Sequence, residues 1–158
     1  MMKIDKKDKI ILFELHKNPR ISLTLLAKKA GLSIDSTKKR MDKMLRSSIF
    51  RPISLIRHRN CGFKNVVNVM IKLQNINTEK YNRFIEFLRK HDRVTEIFSV
   101  SGEWDLSIVF IAKDAIDQDD VAKQIRHRFG DIIQSWSESL TTKCYKFEEH
   151  ASLDFLDS

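Results

Sequence analysis

Apolar positions recur three and four apart in three short runs between residues 4 and 46, and the first two runs end at residues that interrupt a helix. The first run places Ile4, Ile10, Ile11, Leu12 and Leu15 at helical spacing and predicts a helix over 5–17. Asn18-Pro19 stops it, because the residue before a proline is pushed out of the α region. Ser22 is a good N-cap for a second helix over 23–30, with Leu25, Leu26 and Ala27 as its apolar content and Gly31 as its end. Ser33 caps a third helix to Arg46, along which Ile34, Met41, Met44 and Leu45 share a face with Thr37 between them. Two helices joined by a turn of about three residues form a helix-turn-helix, and the first helix would close its core.

The period then changes. Residues 49–60 (IFRPISLIRHRN) alternate loosely, which predicts a strand acting as wing or hinge, with Pro52 confining it to an edge. Its arginines, Arg51, Arg57 and Arg59, suit either a nucleic-acid backbone or plain solvation. Asn65 to Leu73 is β-branched and mostly alternating; a helix follows from Asn77-Thr78 to about His91, with Tyr81, Phe84, Ile85 and Leu88 on one face. Val94 to Ser101 and Leu106 to Lys113 read as strands around a tight turn, Gly102 to Asp105. Asp117, Asp119 and Asp120 favour the positive end of a helix running to Phe129, and Ile132 to Phe147 reads as a long last strand. The order βαββαβ predicts a ferredoxin-like domain, so the fold class is α+β: a winged or plain helix-turn-helix followed by that domain. Helices cover one face of such a sheet, and the open face calls for a second copy, at least a homodimer. The expected division is 1–48 for the helix-turn-helix, 49–62 for a linker strand, 63–148 for the second domain, and 149–158 for a peripheral or partly disordered tail.

Charge sharpens this division. The 158 residues carry a net charge of +8; residues 1–60 hold 16 Lys/Arg against 5 Asp/Glu, and 61–158 hold 13 against 16. A basic block joined to a mildly acidic one assigns polyanion contact to the first. The third helix concentrates that charge: Ser36, Lys39, Arg40, Lys43 and Arg46 lie three and four apart, with Lys38 at the margin and Ser33 at the cap. In a helix-turn-helix such positions reach double-stranded DNA, with Ser36 and Lys39 suited to bases and Arg40, Lys43 and Arg46 to phosphate. The plainer alternative is a helix made soluble by lysines.

Other chemistry finds little support. His16, His58, His91, His127 and His150 are scattered; His58 and Cys61 form an H-x-x-C with no second ligand pair for zinc. The three aspartates at 117, 119 and 120 lack the glycine and distal glutamate of a calcium loop. No phosphate-cradling glycine loop or G-x-S-x-G is present, so neither catalytic residues nor a cofactor are expected. Two cysteines are too few for a disulfide framework. The opening residues do not read as a signal peptide and no apolar stretch approaches a membrane span, so the expectation is a cytoplasmic protein without a membrane partner.

The motifs, taken in order, resemble the Lrp/AsnC (feast/famine) transcription regulators. Ile4-Asp5 with Asp8 and Ile11-Leu12 resembles that family's opening LD-x-x-D-x-x-IL, and Arg20-Ile21-Ser22, Leu26-Ala27 and Gly31-Leu32-Ser33 resemble its R-x-S…LA…GLS. Arg40, Leu45 and Ile49 resemble the end of its recognition helix, Gly62-Phe63 the opening of its second, RAM-type domain, Ser101 to Asp105 its TG-x-YD hairpin, and Gly130 to Ile133 its PGV. The resemblance implies a sequence-selective regulator working as a dimer or a ring of dimers such as an octamer, with an amino acid bound between subunits of the second domain. On this chain the effector contacts would be Gly102, Glu103, Trp104 and Asp105, a carboxylate taking the α-amino group and the indole covering a side chain. Ser135 and Ser137 would hold the ligand's carboxylate. A plain hairpin accounts for the same four turn residues. Ser48 replaces the glycine usual after the recognition helix, Thr37 a valine, and Trp104 a tyrosine. Siroheme decarboxylases also resemble this architecture, and Arg57-His58-Arg59 stands about where their Arg and His pairs fall.

Overall fold

A computed structural model describes residues 2–153 and 156. The chain forms two compact units: residues 1–55 with 146–158, and residues 56–145.

The first unit is built on α1 (Lys6–Lys17), α2 (Leu23–Ala30) and α3 (Ile34–Arg46). Asp5 caps α1 by accepting the amides of Lys7 and Asp8, while the Asp8 carboxylate takes the Asp5 amide in return, so donors that the first turn leaves open are satisfied. Ile11, Leu12, Leu26, Ala30 and Met44 fill the centre, and Met2, Ile4, Leu15, Ile21, Leu32 and Met41 pack around them. The apolar face expected on α3 is narrower than its sequence suggests. Thr37 and Met44 are buried, whereas Ile34 and Leu45 are exposed. Thr37 can take a core place because its hydroxyl donates to the Ser33 carbonyl at 2.9 Å, which removes the cost of burying a bare polar group.

In the second unit the strands are β1 (Asn65–Leu73), β2 (Val94–Ser99), β3 (Leu106–Ala112) and β4 (Ile133–Leu140), with α4 (Thr78–Lys90) and α5 (Ala115–Phe129) between them. The sheet runs β2-β3-β1-β4, with each paired neighbour antiparallel. Alternate residues of β1, Val67, Val69, Ile71 and Leu73, join Leu106, Ile108 and Phe110 of β3 under Phe84, Leu88, Val121 and Ile125 of the helices. This is the βαββαβ arrangement read from the alternation. Register places Asn68, Met70 and Lys72 of β1 on the opposite face beside Ser139, Ser137 and Ser135 of β4.

Two expectations need correction, and a third, the tail, gains a contact. Residues 49–60 form no strand: the segment is irregular to Arg57, and a short 3₁₀ helix follows at His58–Cys61. Ile53, Leu55 and Ile56 are exposed, and no described strand lies alongside to pair with their backbone, so the alternation has no ladder to join. The last strand ends at Leu140, not Phe147. It pairs with Val67 there, and the Thr141 amide reaches the Val66 carbonyl, after which β1 has almost no residues left to offer. The tail lies at the surface, with residues 148–152 exposed, yet its described residues belong to the first unit, where Leu153 and Leu156 pack on the helix core. Asp154, Phe155, Asp157 and Ser158 of that expected tail lie outside the described residues.

Candidate nucleic-acid interface

The turn between α2 and α3 is set by three local devices. Gly31 adopts φ 62°, ψ 47°, a left-handed conformation that glycine enters without a Cβ penalty. The Gly31 and Leu32 amides bond back to the Lys28 and Ala27 carbonyls and satisfy the end of α2. Two residues on, the Ser33 hydroxyl accepts the Ser36 amide at 3.1 Å and starts α3. A side chain at Gly31 would also meet Lys7, whose Nζ lies 2.9 Å from where a Cβ would stand. The turn therefore has a cation beside it that periodicity does not reveal.

On α3, Lys38, Lys39, Lys43 and Arg46 are exposed and Ser36 is half-buried. Among the described residues none of these four cations has an ion-pair partner. Lys39, Lys43 and Arg46 form one stripe, spaced four and three apart, with Ser36 at its upper end and Lys38 offset around the helix. Asp35 and Asp42 flank the stripe, so its field is not uniformly positive.

Arg40 stands apart from its neighbours. Its guanidinium donates to Asp5 at 2.7 Å and to Asp8 at 2.8 Å, tying α3 to the start of α1. The Asp8 side chain is only 3% exposed, so this contact satisfies a nearly buried carboxylate. The Asp8 amide and the Arg40 guanidinium together hold the Asp5 carboxyl below the usual aspartate range, and Asp8 and Asp5 hold the Arg40 guanidinium above its own. Sequence spacing put Arg40 among the phosphate contacts; the fold instead joins it to Asp5 and Asp8. The D-x-x-D spacing of the opening helix was the available signal, but nothing local says which cation it meets.

The residues expected around an effector also separate by role. Asp105 closes its hairpin on β1: its carboxylate accepts the Leu73 amide at 2.8 Å and lies 3.6 Å from Lys72 Nζ, and its own amide donates to the Ile71 carbonyl. Gly102 turns the chain at φ 127° with open space where a Cβ would be; Glu103 is exposed and Trp104 half-buried. Ser135 and Ser137 are exposed on β4 opposite Lys72 and Met70. Lys72, the register partner of Ser135 on β4, is thus also the cation beside Asp105, a placement invisible in an alternating run. Arg59 of the trio 57–59 donates to the Thr141 and Thr142 carbonyls, so its guanidinium is engaged with the backbone. Asp117 accepts the Lys113 amide and pairs with Arg93, which holds its carboxyl below the usual range.

Comparison with known proteins adds two matches in chain order. Residues 4–50 match a winged helix-turn-helix DNA-binding family, and residues 66–135 match the Lrp/AsnC ligand binding domain. The chain belongs to the Lrp/AsnC family. It is a DNA-binding transcription regulator of the Lrp/AsnC type. The HTH-type transcriptional regulator LrpA of Pyrococcus horikoshii is 29% identical over 82% of this chain and 88% of its own. An AsnC family regulator from Agrobacterium tumefaciens, 25% identical, superposes with a TM-score of 0.85 over 96% of this chain and 99% of that one. A Neisseria meningitidis transcriptional regulator, solved in complex with L-Met, shares the fold at 20% identity, with a TM-score of 0.86 over 97% and 99% of the two chains. Among the described residues, no helix is long and apolar enough to cross a membrane.

Proposed function

We propose that this regulator reads duplex DNA with the exposed side of α3: Ser36 and Lys39 at base edges, and Lys43 and Arg46, with Lys38, at phosphates. Ser33 holds the end of the helix that approaches the groove. The observation that carries the reading is the stripe Lys39, Lys43 and Arg46, unpaired among the described residues, on the helix that follows the Gly31 turn. Cations with no acidic partner in the fold keep their full attraction for phosphate. Arg40 supports the same surface indirectly, by fixing α3 on α1.

The working form is a homodimer through the sheet face that α4 and α5 leave uncovered, which lines up two copies of α3 for a symmetric site. An amino acid is the effector, taken up near Glu103, Trp104, Ser135 and Ser137. Its α-amino group goes to Glu103, since Asp105 is already bonded to Leu73 and Lys72. The methionine complex of the neisserial relative supports this ligand class. No observation favours a tetrapyrrole enzyme, for which Arg57-His58-Arg59 would need to stay available.

Selection of bound sequences from a random duplex pool, with and without a mixture of amino acids, tests the reading. A two-fold-related motif should emerge, and its enrichment should change with amino acids present. Lys39→Ala should alter the motif, whereas Lys43→Ala should weaken binding across all sequences. A pool that returns unenriched would overturn base readout by α3.

A further inference from the structure

The C-terminal segment was expected to be peripheral, yet it is held at both ends. Where it leaves β4, the Arg59 guanidinium donates to the carbonyls of Thr141 and Thr142. Farther on, the His150 amide donates to His16 Nε2 at 3.1 Å, and the two imidazole rings lie 5.5 Å apart. Leu153 and Leu156 then pack on the cluster of Ile11, Leu12, Leu26, Ala30 and Met44. That core is small: some 55 residues in three helices lie close to the size at which a chain buries too little surface to hold its fold alone. Two more leucines are a large fraction of what such a core can gather.

We propose that residues 141–153, together with Leu156, form a releasable strap, a fourth piece of the helix-turn-helix unit that keeps it folded and thereby sets its DNA affinity. The chain consequently joins its two units twice, once at residues 55 and 56 and again at 145 and 146. The strap's near end is fixed by Arg59 of the sheet unit and its far end by His16 and the helix core. Loosening at either end removes support from α1, the helix that Arg40 uses to hold α3.

The test uses the full chain, a chain ending at Tyr145, and a synthetic peptide of residues 146–158. Amide exchange at Ile11, Leu12 and Leu26 should quicken tenfold or more in the shortened chain, while Val69 and Ile108 in the sheet keep their rates. Adding the peptide in trans should restore the slow rates. In the full chain Leu153→Asp should reproduce the shortened chain, and Arg59→Ala should quicken the same amides severalfold although it lies in the other unit. Affinity for a random-sequence duplex at fixed salt should fall at least threefold in the shortened chain and return with the peptide. Unchanged exchange after truncation, or a peptide that restores nothing, would overturn the strap. So would tighter DNA binding after truncation, which would make the removed residues 146–158, with four carboxylates against one lysine, a charge shield instead. The affinity measurement rests on the DNA-binding reading; the exchange measurement stands without it.

Discussion

The α3 stripe and the 102–105 hairpin are the two places where sequence reading expected ligands, and the fold treats them in opposite ways. On α3 the fold removes one cation, Arg40, for its own use and leaves Lys39, Lys43 and Arg46 exposed and, among the described residues, unpaired. In the hairpin it takes one of the two carboxylates, Asp105, and joins it to the Leu73 amide and Lys72. Each region thus mixes a structural residue with functional candidates of the same chemistry a few positions away. Charge and spacing do not separate them; a partner supplied from a distant part of the chain does.

Removing the stripe should give the largest effect. Lys39→Ala, Lys43→Ala and Arg46→Ala combined should lower duplex affinity about a hundredfold at ~0.1 M salt and flatten the salt slope by roughly 0.9 for each phosphate lost. Thermal stability should stay within ~0.5 kcal/mol, as for exposed side chains without partners. A salt titration of binding, set beside a melting curve, reads both. An unchanged slope would mean that these cations are merely solvated.

Arg40→Gln should show the reverse pattern. It strips the nearly buried Asp8 carboxylate of its cation and should cost about 2 kcal/mol of stability, below the full cost of breaking a buried pair because Asp8 keeps the Asp5 amide. Denaturant unfolding of the first unit measures the loss, and binding per folded molecule should change far less than in the stripe variant. A DNA defect without a stability defect would return Arg40 to the phosphate contacts.

In the hairpin, Asp105→Ala leaves the Leu73 amide without its acceptor and should cost ~1–2 kcal/mol, seen as faster exchange of that amide. Glu103→Gln should leave stability alone and alter only ligand capture. The smallest effect is a titration. Asp5 is depressed in the folded protein, so its contribution to stability is present above the usual aspartate range and is lost as pH falls through its lowered value. With half of its side chain in water, the stability involved is slight. A carboxyl NMR titration should show the Asp5 midpoint rising in Arg40→Gln yet remaining below the usual value, because the Asp8 amide has the larger influence.

Local signals carried well where a single residue determines a single local outcome. Ser22, Ser33 and Asn77 each cap the helix expected of them, Gly31 ends α2 in the left-handed region, and the alternation of β1 matches its burial. Local signals failed where an element needs a partner. The alternation in 49–60 has no described strand to pair with, and the strand expected past Leu140 outruns β1. Ile34 and Leu45 sit on the apolar side of α3 by count, yet both stay exposed, because the small core buries only part of that side.

What the sequence by itself determined is the order and kind of elements, the turn at Gly31, the basic character of α3 and the open face of a four-stranded sheet. Caps, positive φ and period are properties of a few consecutive residues, and their energies are decided within one helical turn or one strand. Tertiary structure alone decided which charges stay available. Arg40 meets residues 32 and 35 positions away, Asp105 meets one 32 away, and the tail returns over 134 positions to His16. A charged side chain's role depends on what neutralises it, and across such separations only the folded backbone determines the neighbour.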